Sequence, residues 1–269
     1  MLFHRFCLFL QKRKTMKIIN LSEITSTNTY LLDNADKFSA EEYTVAVADY
    51  QSNGMGMSGN TWESENGKNL LFSILIHPDW LDPGIEYLMS MTEALALKDA
   101  IAEQVEAAGM SPDDVTIKWP NDIYWKDKKI SGTRIDGNIK GCKLVDMVIG
   151  TGINVNQREF HSDAPNPVSL WQITGREHSV EELLNRVMKR FAHYYNIAHK
   201  EWQEEYECTT IMKEYHKSMY RRKGVYRFED EDGEFEASMY SVHPNGLLLL
   251  KRTDGTISEY DFKEVKFII

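Results

Sequence analysis

Short apolar runs, each bounded by polar turn residues, alternate with stretches of helical period along the chain. Lys17–Leu21 predicts a short strand. Ser26, Thr27 and Asn28 supply capping side chains ahead of TYLLDNA and predict a helix start. Tyr43–Tyr50 (YTVAVADY) reads as a buried strand. A glycine-rich loop follows, QSNGMGMSGNTW, and then a further strand at Asn69–Ile76 (NLLFSILI). Glu86–Ala108 spaces Leu88, Met91, Leu95 and Ile101 as a helix does. Val115–Lys118 predicts a strand that runs into a Pro-Asn-Asp turn at 120–122. Ile123–Trp125 and Lys129–Asp136 read as paired strands around WKDKK, with Leu144–Ile149 as another. Helical period returns over Ser179–Tyr206, apolar at Leu183, Leu184, Val187, Phe191 and Tyr195.

After about Met219 the pattern changes. Asp-Gly, Asn-Gly and Asp-Gly turns separate short alternating strands, which predicts a small antiparallel barrel. The expected organisation is an α+β unit over 16–218 and an all-β module over 219–269. Residues 1–15 carry Arg5, Lys12, Arg13 and Lys14 with no acid and are expected to take no part in the fold. The apolar run Met1–Leu10 is too short to span a bilayer. Its basic cluster follows the apolar part, the reverse of a secretory signal. Met16 opens a stretch that reads like a natural start.

Composition narrows the function classes. Across 269 residues, 31 Lys and Arg against 41 Asp and Glu leave a net charge of −10. That acidity disfavours non-specific nucleic-acid binding, which needs clustered cations. Hydrophobic content of 42% with 27% charged residues suits a globular chain with a substantial core. Cys7, Cys142 and Cys208 have no short spacing, so neither a disulfide framework nor a cysteine-rich zinc site is expected. A reducing, cytoplasmic compartment follows as the default.

Three segments can carry chemistry. Gly54, Gly56 and Gly59 allow backbone N–H groups to approach an anion closely. Their spacing matches G-x-G-x-x-G, but the loop leads into a strand, so a dinucleotide fingerprint is excluded. In Lys118-Trp119-Pro120-Asn121-Asp122, a strand ends in a rigid turn that presents an amide and a carboxylate together. Lys129 opens the next strand, and a lysine beside a glycine loop can neutralise charge developing on a phosphate or carboxylate oxygen. GTGINVN (150–156) offers asparagines that suit an adenine edge, and an Asn-rich turn explains them equally well. Trp62, Trp119 and Trp125 are either ligand-stacking or core residues. The eight histidines fall at no metal-ligand spacing, and no metal site is expected.

The ordered set Ser26-Thr27-Asn28, QSNGMGMSGNTW, KWPNDIYWKDKKISG, GTGINVN and a carboxy-terminal barrel resembles the biotin protein ligases, over about Lys17 to Ile269. SDAPNPVSLWQITG and FKEVKFII are similar to the single-function bacterial members, which lack an amino-terminal DNA-binding domain. The resemblance implies an α+β fold, a mixed sheet with flanking helices of the class II synthetase and biotin-ligase kind, followed by an SH3-like β-barrel. It implies that ATP, usually with Mg²⁺, and biotin condense to biotinyl-5'-adenylate. A lysine of a biotin carboxyl carrier protein, an acetyl-CoA carboxylase subunit or related carboxylase, then takes the biotinyl group. The implied biotin and adenylate contacts are Ser26, Thr27, Asn28, Gln51, Gly54, Met55, Gly56, Met57, Lys129 and Gly132. Lys129 matches the lysine that holds the carboxylate and α-phosphate, the catalytic position. Trp62, Asn121 and Asn154 match positions around the nucleotide. No nucleic-acid or membrane partner is implied, and monomer and homodimer both fit the family.

Two segments depart from the family pattern. Its members commonly read G-R-G-x-R-G in the glycine loop, where this chain has Met55, Met57 and Ser58. Methionine supplies neither the charge nor the forked donors of arginine. After the lysine the family reads G-I-L-[IV]-E, and this chain reads Gly132-Thr133-Arg134-Ile135-Asp136. Strand alternation sets Arg134 on the face opposite Thr133 and Ile135. Facing the pocket, Arg134 would put a charge where biotin needs an apolar wall, or would replace the loop arginine from across the site. A working ligase, a relative acting on another acid and a non-catalytic relative remain open at this level.

Overall fold

The computed structural model describes residues 15–56, 59, 61–140, 143–162 and 164–269. Seven strands form one sheet in the order β1-β2-β3-β7-β6-β5-β4. They are β1 Thr15–Ile24, β2 Glu42–Gln51, β3 Leu70–Ile76, β4 Val115–Lys118, β5 Asp122–Trp125, β6 Lys128–Lys140 and β7 Lys143–Ile153. β1 runs parallel to β2 and every other neighbour is antiparallel, so the sheet is mixed. Thr15, expected outside the fold, opens β1; the rest of that expectation falls on residues 1–14, outside the described set.

Alternation along the central strands sorts side chains to two faces. On one face Tyr43, Val45, Phe72, Ile74 and Ile149 pack with helices α2 (Tyr87–Glu106) and α4 (Val180–Glu205). α2 is buried around most of its circumference, because it lies between the sheet and α4. α4 keeps a single apolar stripe, Leu183, Val187, Phe191, Tyr195 and Ala198, and a charged outer side. On the other face the short helix α1 (Thr27–Asp33) buries Leu31 against Ala46, Leu75 and Val148. Ser26 caps α1, accepting from the Thr29 N–H at 3.5 Å.

The carboxy-terminal strands are β8 Tyr226–Asp230, β9 Gly233–Val242, β10 Leu248–Arg252, β11 Ile257–Tyr260 and β12 Lys266–Phe267. They form a second, wholly antiparallel sheet ordered β11-β10-β9-β8-β12, compatible with an SH3-like barrel. Gly233, Gly246 and Gly255, from the three anticipated turns, have φ of 116°, 97° and 92°, where a Cβ is strained. The second sheet meets the first at the Trp119 turn. Trp119 Nε1 donates to Gly246 O at 2.9 Å, and the Trp119–Pro120 peptide is cis.

Several elements differ from the sequence expectation. The β6–β7 hairpin is longer at both ends than Lys129–Asp136 and Leu144–Ile149, because ladder pairing carries through segments with little apolar signal. β1 likewise exceeds its apolar middle. Helices α3 (Leu170–Thr174) and α5 (Thr209–Lys217) were not anticipated, and each shows only a short apolar pattern.

Candidate functional site

A trough opens on the α1 face because the central strands carry small residues there. One cross-strand row reads Ala46, Ser73, Gly150, Arg134; the next reads Ala48, Leu71, Gly152, Gly132, Asp122, Lys118. Neither Gly150 nor Gly152 could carry a methyl group as the neighbours stand. A Cβ at Gly150 would fall on the Asn28 amide, and one at Gly152 on the Trp62 indole. The resulting cavity of about 290 Å³ is lined by Ser26, Thr27, Asn28, Gln51, Met55, Gly56, Trp62, Asn121, Lys129 and Gly132, among others.

Lys129 reaches this trough through a bulge. In a regular strand, residues three apart point to opposite faces, which would separate Lys129 from Gly132. The β5–β6 register shifts between Ile123 and Tyr124, so Tyr124 pairs with Lys129 while Ile123 pairs with Ser131. Ile130 then enters the core, and Lys129 Nζ lies 3.1 Å from where a Gly132 Cβ would sit. The Lys129 backbone is tied on its other side, donating to Asn166 O at 2.8 Å and accepting from Val168 N at 2.9 Å. Its Nζ pairs with Asp122 Oδ1 at 2.6 Å and stands 5.8 Å from the Trp62 ring centroid.

The glycine loop is pinched at its base. Trp62 N donates to Gly54 O at 2.9 Å, and Met55 bridges to Thr61. Gly54 sits beneath this pinch, where an added Cβ would come within 3.0 Å of Trp62 O. Met55 lies on the cavity rim, 42% exposed. Met57 lies outside the described residues. Trp62 Nε1 is buried and, among the described residues, has no hydrogen-bond partner. Trp62, Lys129 and Asp122 also line a second cavity, whose other walls include Tyr124, Asn154, Phe160 and Pro167. Asn154 therefore belongs to this second space, not to the trough; it is 3% exposed and its Nδ2 donates to Val168 O at 3.2 Å. The two cavities meet at Lys129 and Trp62.

Several site residues carry no motif signal. Ser73 is the lone polar residue in an apolar strand, and Glu93 the lone acid on the buried side of α2; both were legible as exceptions. Behind the trough, Thr133 and Thr151 hydroxyls lie 3.2 Å apart, and Thr151 donates to Glu93 Oε1 at 3.1 Å. Burial pushes the Glu93 carboxyl up to about 8, against a smaller opposing effect of the Thr151 hydrogen bond. Lys118 lines the trough with its Nζ 5.3 Å from the Tyr124 ring centroid and 4.7 Å from that of Phe267. Burial lowers its pKa, the Asp122 carboxylate opposes that shift, and Lys129 and Arg221 add to it. Phe262, from the second sheet's segment, also reaches the trough. Trp119 and Trp125 pack with the core instead of lining either cavity.

Arg134 does face the trough, but its guanidinium is engaged: Nε and one NH₂ group donate to Asp136 Oδ1 at 3.1 and 2.8 Å. Among the described residues no three His, Cys, Asp or Glu side chains are grouped to hold a metal ion, and no helix is long and apolar enough to cross a membrane.

Residues 21–154 match the model of the Biotin/lipoate A/B protein ligase family. The chain is 33% identical over 147 residues to the bifunctional ligase/repressor of Salmonella typhimurium, covering 54% of this chain and 43% of that protein. It is 32% identical over 154 residues to the biotin–protein ligase of Homo sapiens, covering 54% and 20%. The chain thus spans less than half the length of these curated relatives. The biotin protein ligase of Aquifex aeolicus, solved in complex with biotin and ATP, superposes with a TM-score of 0.72 at 25% identity, covering 94% of this chain and 99% of that one.

Proposed function

We propose that the chain, whose residues 21–154 match the model of the Biotin/lipoate A/B protein ligase family, is an ATP-dependent biotin–protein ligase. The catalytic unit is taken as residues 16–218 and the carboxy-terminal module as 219–269. One observation carries the reading: two cavities, one walled by hydrogen-bonding side chains and small residues, the other by aromatic and amide groups, share Lys129 and Trp62 at their junction. An acid in the first and a nucleotide in the second would meet where a cation stands.

The chemistry follows from that placement. A biotin carboxylate oxygen attacks the α-phosphorus of ATP, forming the mixed anhydride, and pyrophosphate leaves. Negative charge gathers on the α-phosphate oxygens, and Lys129 stabilises it from the shared wall. Ser26, Thr27, Asn28 and Gln51 hold the polar head of biotin, with Gly54, Met55 and Gly56 over it and Gly132 beneath. Trp62 and Asn154 contact the nucleotide, while Asn121, expected beside the nucleotide, lines the first cavity instead. Holding acid and phosphate in line makes the step effectively unimolecular. The amine of a carrier-protein lysine then attacks the anhydride carbonyl, forming the amide and releasing AMP.

Mg²⁺ fits as a companion of the nucleotide phosphates, which would hold it with water, since this ion keeps several waters and seldom needs an all-protein cage. It would offset phosphate charge there. The partner is a biotin carboxyl carrier domain. Incubating the protein with ATP, biotin and such a domain is expected to biotinylate one lysine, read by intact-mass spectrometry. An unmodified carrier under conditions where a known ligase labels it would contradict the reading.

A further inference from the structure

The wall formed by Thr27, Asn28 and Gln51 has a donor–acceptor direction, and the group that sets it lies outside every motif. Asp136 Oδ2 accepts from Asn28 Nδ2 at 2.8 Å, while Oδ1 accepts from Arg134. An ionised carboxylate only accepts, so the Asn28 amide must turn its nitrogen toward Asp136 and its oxygen the other way. Ser73 Oγ donates to that oxygen at 2.5 Å. A hydroxyl has one proton, so in the 2.6 Å contact between Ser73 Oγ and Thr27 Oγ1 the donor is Thr27. Gln51 Oε1 accepts the Thr27 backbone N–H at 2.7 Å; it also stands 3.1 Å from Thr27 Oγ1, whose single proton goes to the shorter contact with Ser73. Asp136 therefore fixes the orientation of three side chains in sequence, Asn28, Ser73 and Thr27, the last of which lies against Gln51 on the cavity wall.

Arg134 makes that arrangement tolerable. A lone carboxylate beside a site for an anionic acid would repel it. The guanidinium neutralises Asp136 through two hydrogen bonds. Because these donors are engaged by Asp136, Arg134 is poorly placed to stand in for a loop arginine.

We infer that Asp136, neutralised by Arg134, is a positioning residue that orders the substrate-binding wall, and that this pair determines affinity for the acyl substrate. The inference rests on the ligase reading. Asp136→Asn keeps the shape but permits donation; Arg134→Leu leaves the carboxylate unneutralised. Each is expected to weaken biotin binding about tenfold by calorimetry, and to raise KM for biotin in pyrophosphate exchange with kcat within about twofold. Arg134→Lys keeps the charge and retains most of the affinity. The double variant R134L/D136N is expected to bind no more weakly than D136N alone, since both act through one network. In ligand-free protein, the Asn28 side-chain amide exchanges slowly by NMR in the wild type and faster in D136N. Unchanged biotin affinity in D136N, multiplied defects in the double variant, or an unaltered Asn28 amide would each overturn the inference. Wild-type protein that binds no biotin would overturn the ligase reading instead, and the Asn28 amide would still decide whether Asp136 governs the wall.

Discussion

Lys129 Nζ stands 2.6 Å from Asp122 Oδ1 at the junction of the two cavities, so the cation that an anionic ligand would meet is already paired. Any anion must share Lys129 with Asp122. The pairing costs some of its pull on a ground-state carboxylate but still stabilises the greater charge of a transition state. Lys129→Ala is therefore expected to lower kcat/KM for adenylate formation at least 100-fold, on the scale of about 2.7–4 kcal/mol for one oxyanion donor. Near-normal activity in that variant would remove Lys129 from the chemistry.

The glycine row makes a steric prediction. Gly150→Ala would place a methyl on the Asn28 amide and Gly152→Ala one on the Trp62 indole. Both positions lie within strands, where alanine is tolerated by the backbone, so a folded protein with a blocked trough is expected. Overpacking of this kind destabilises by about 1–3 kcal/mol. Circular dichroism should show the native fold while biotin binding is lost; full binding in G150A would mean that Asn28 has room to move.

Met55 sits on the rim where the resembled family carries arginine. Met55→Arg adds a charge-assisted donor above a cavity meant for a carboxylate and a phosphate. A gain of about tenfold in kcat/KM is expected, equivalent to about 1.4 kcal/mol. A loss of activity would show that this trough has adapted to the methionine.

Glu93 predicts a pH-dependent stability. Its carboxyl is held at about 8 by burial, against 4.5 ordinarily, so the folded protein keeps a proton that the unfolded chain gives up. Folding is favoured below pH 4.5 by this group, and that contribution is lost as pH rises toward 8. The loss amounts to at most about 5 kcal/mol. Glu93→Gln, which cannot ionise, is expected to lose less stability than the wild type between pH 5 and 9 in urea unfolding. Equal pH dependence in both would place the titration elsewhere.

How much of this was legible beforehand differs by element. The runs of β2 and β3, the period of α2 and α4, and the three Gly-bearing turns each carry a local signal of the kind that decides secondary structure. The mixed parallel pairing of β1 does not, because an edge strand with mostly exposed residues has little apolar pattern. In the site, Thr27, Asn28, Gln51 and Lys129 stood out by motif. Their meeting depends on the bulge at Ile130, which no residue-by-residue alternation reveals. Gly150 and Gly152 fall just past the strand expected over Leu144–Ile149, yet they lie in β7 and leave room for Asn28 and Trp62. Asp136 acquires its role only through partners from α1 and β3, which lie far away in the chain.

The central claim is that Lys129 joins an acid-binding cavity to a nucleotide-binding one. Exchange of labelled pyrophosphate into ATP, with biotin, lipoate or octanoate supplied in turn, tests it most directly. Exchange that depends on biotin and disappears in Lys129→Ala is the predicted result. Exchange supported only by another acid, or none with any of the three by folded protein, would contradict it.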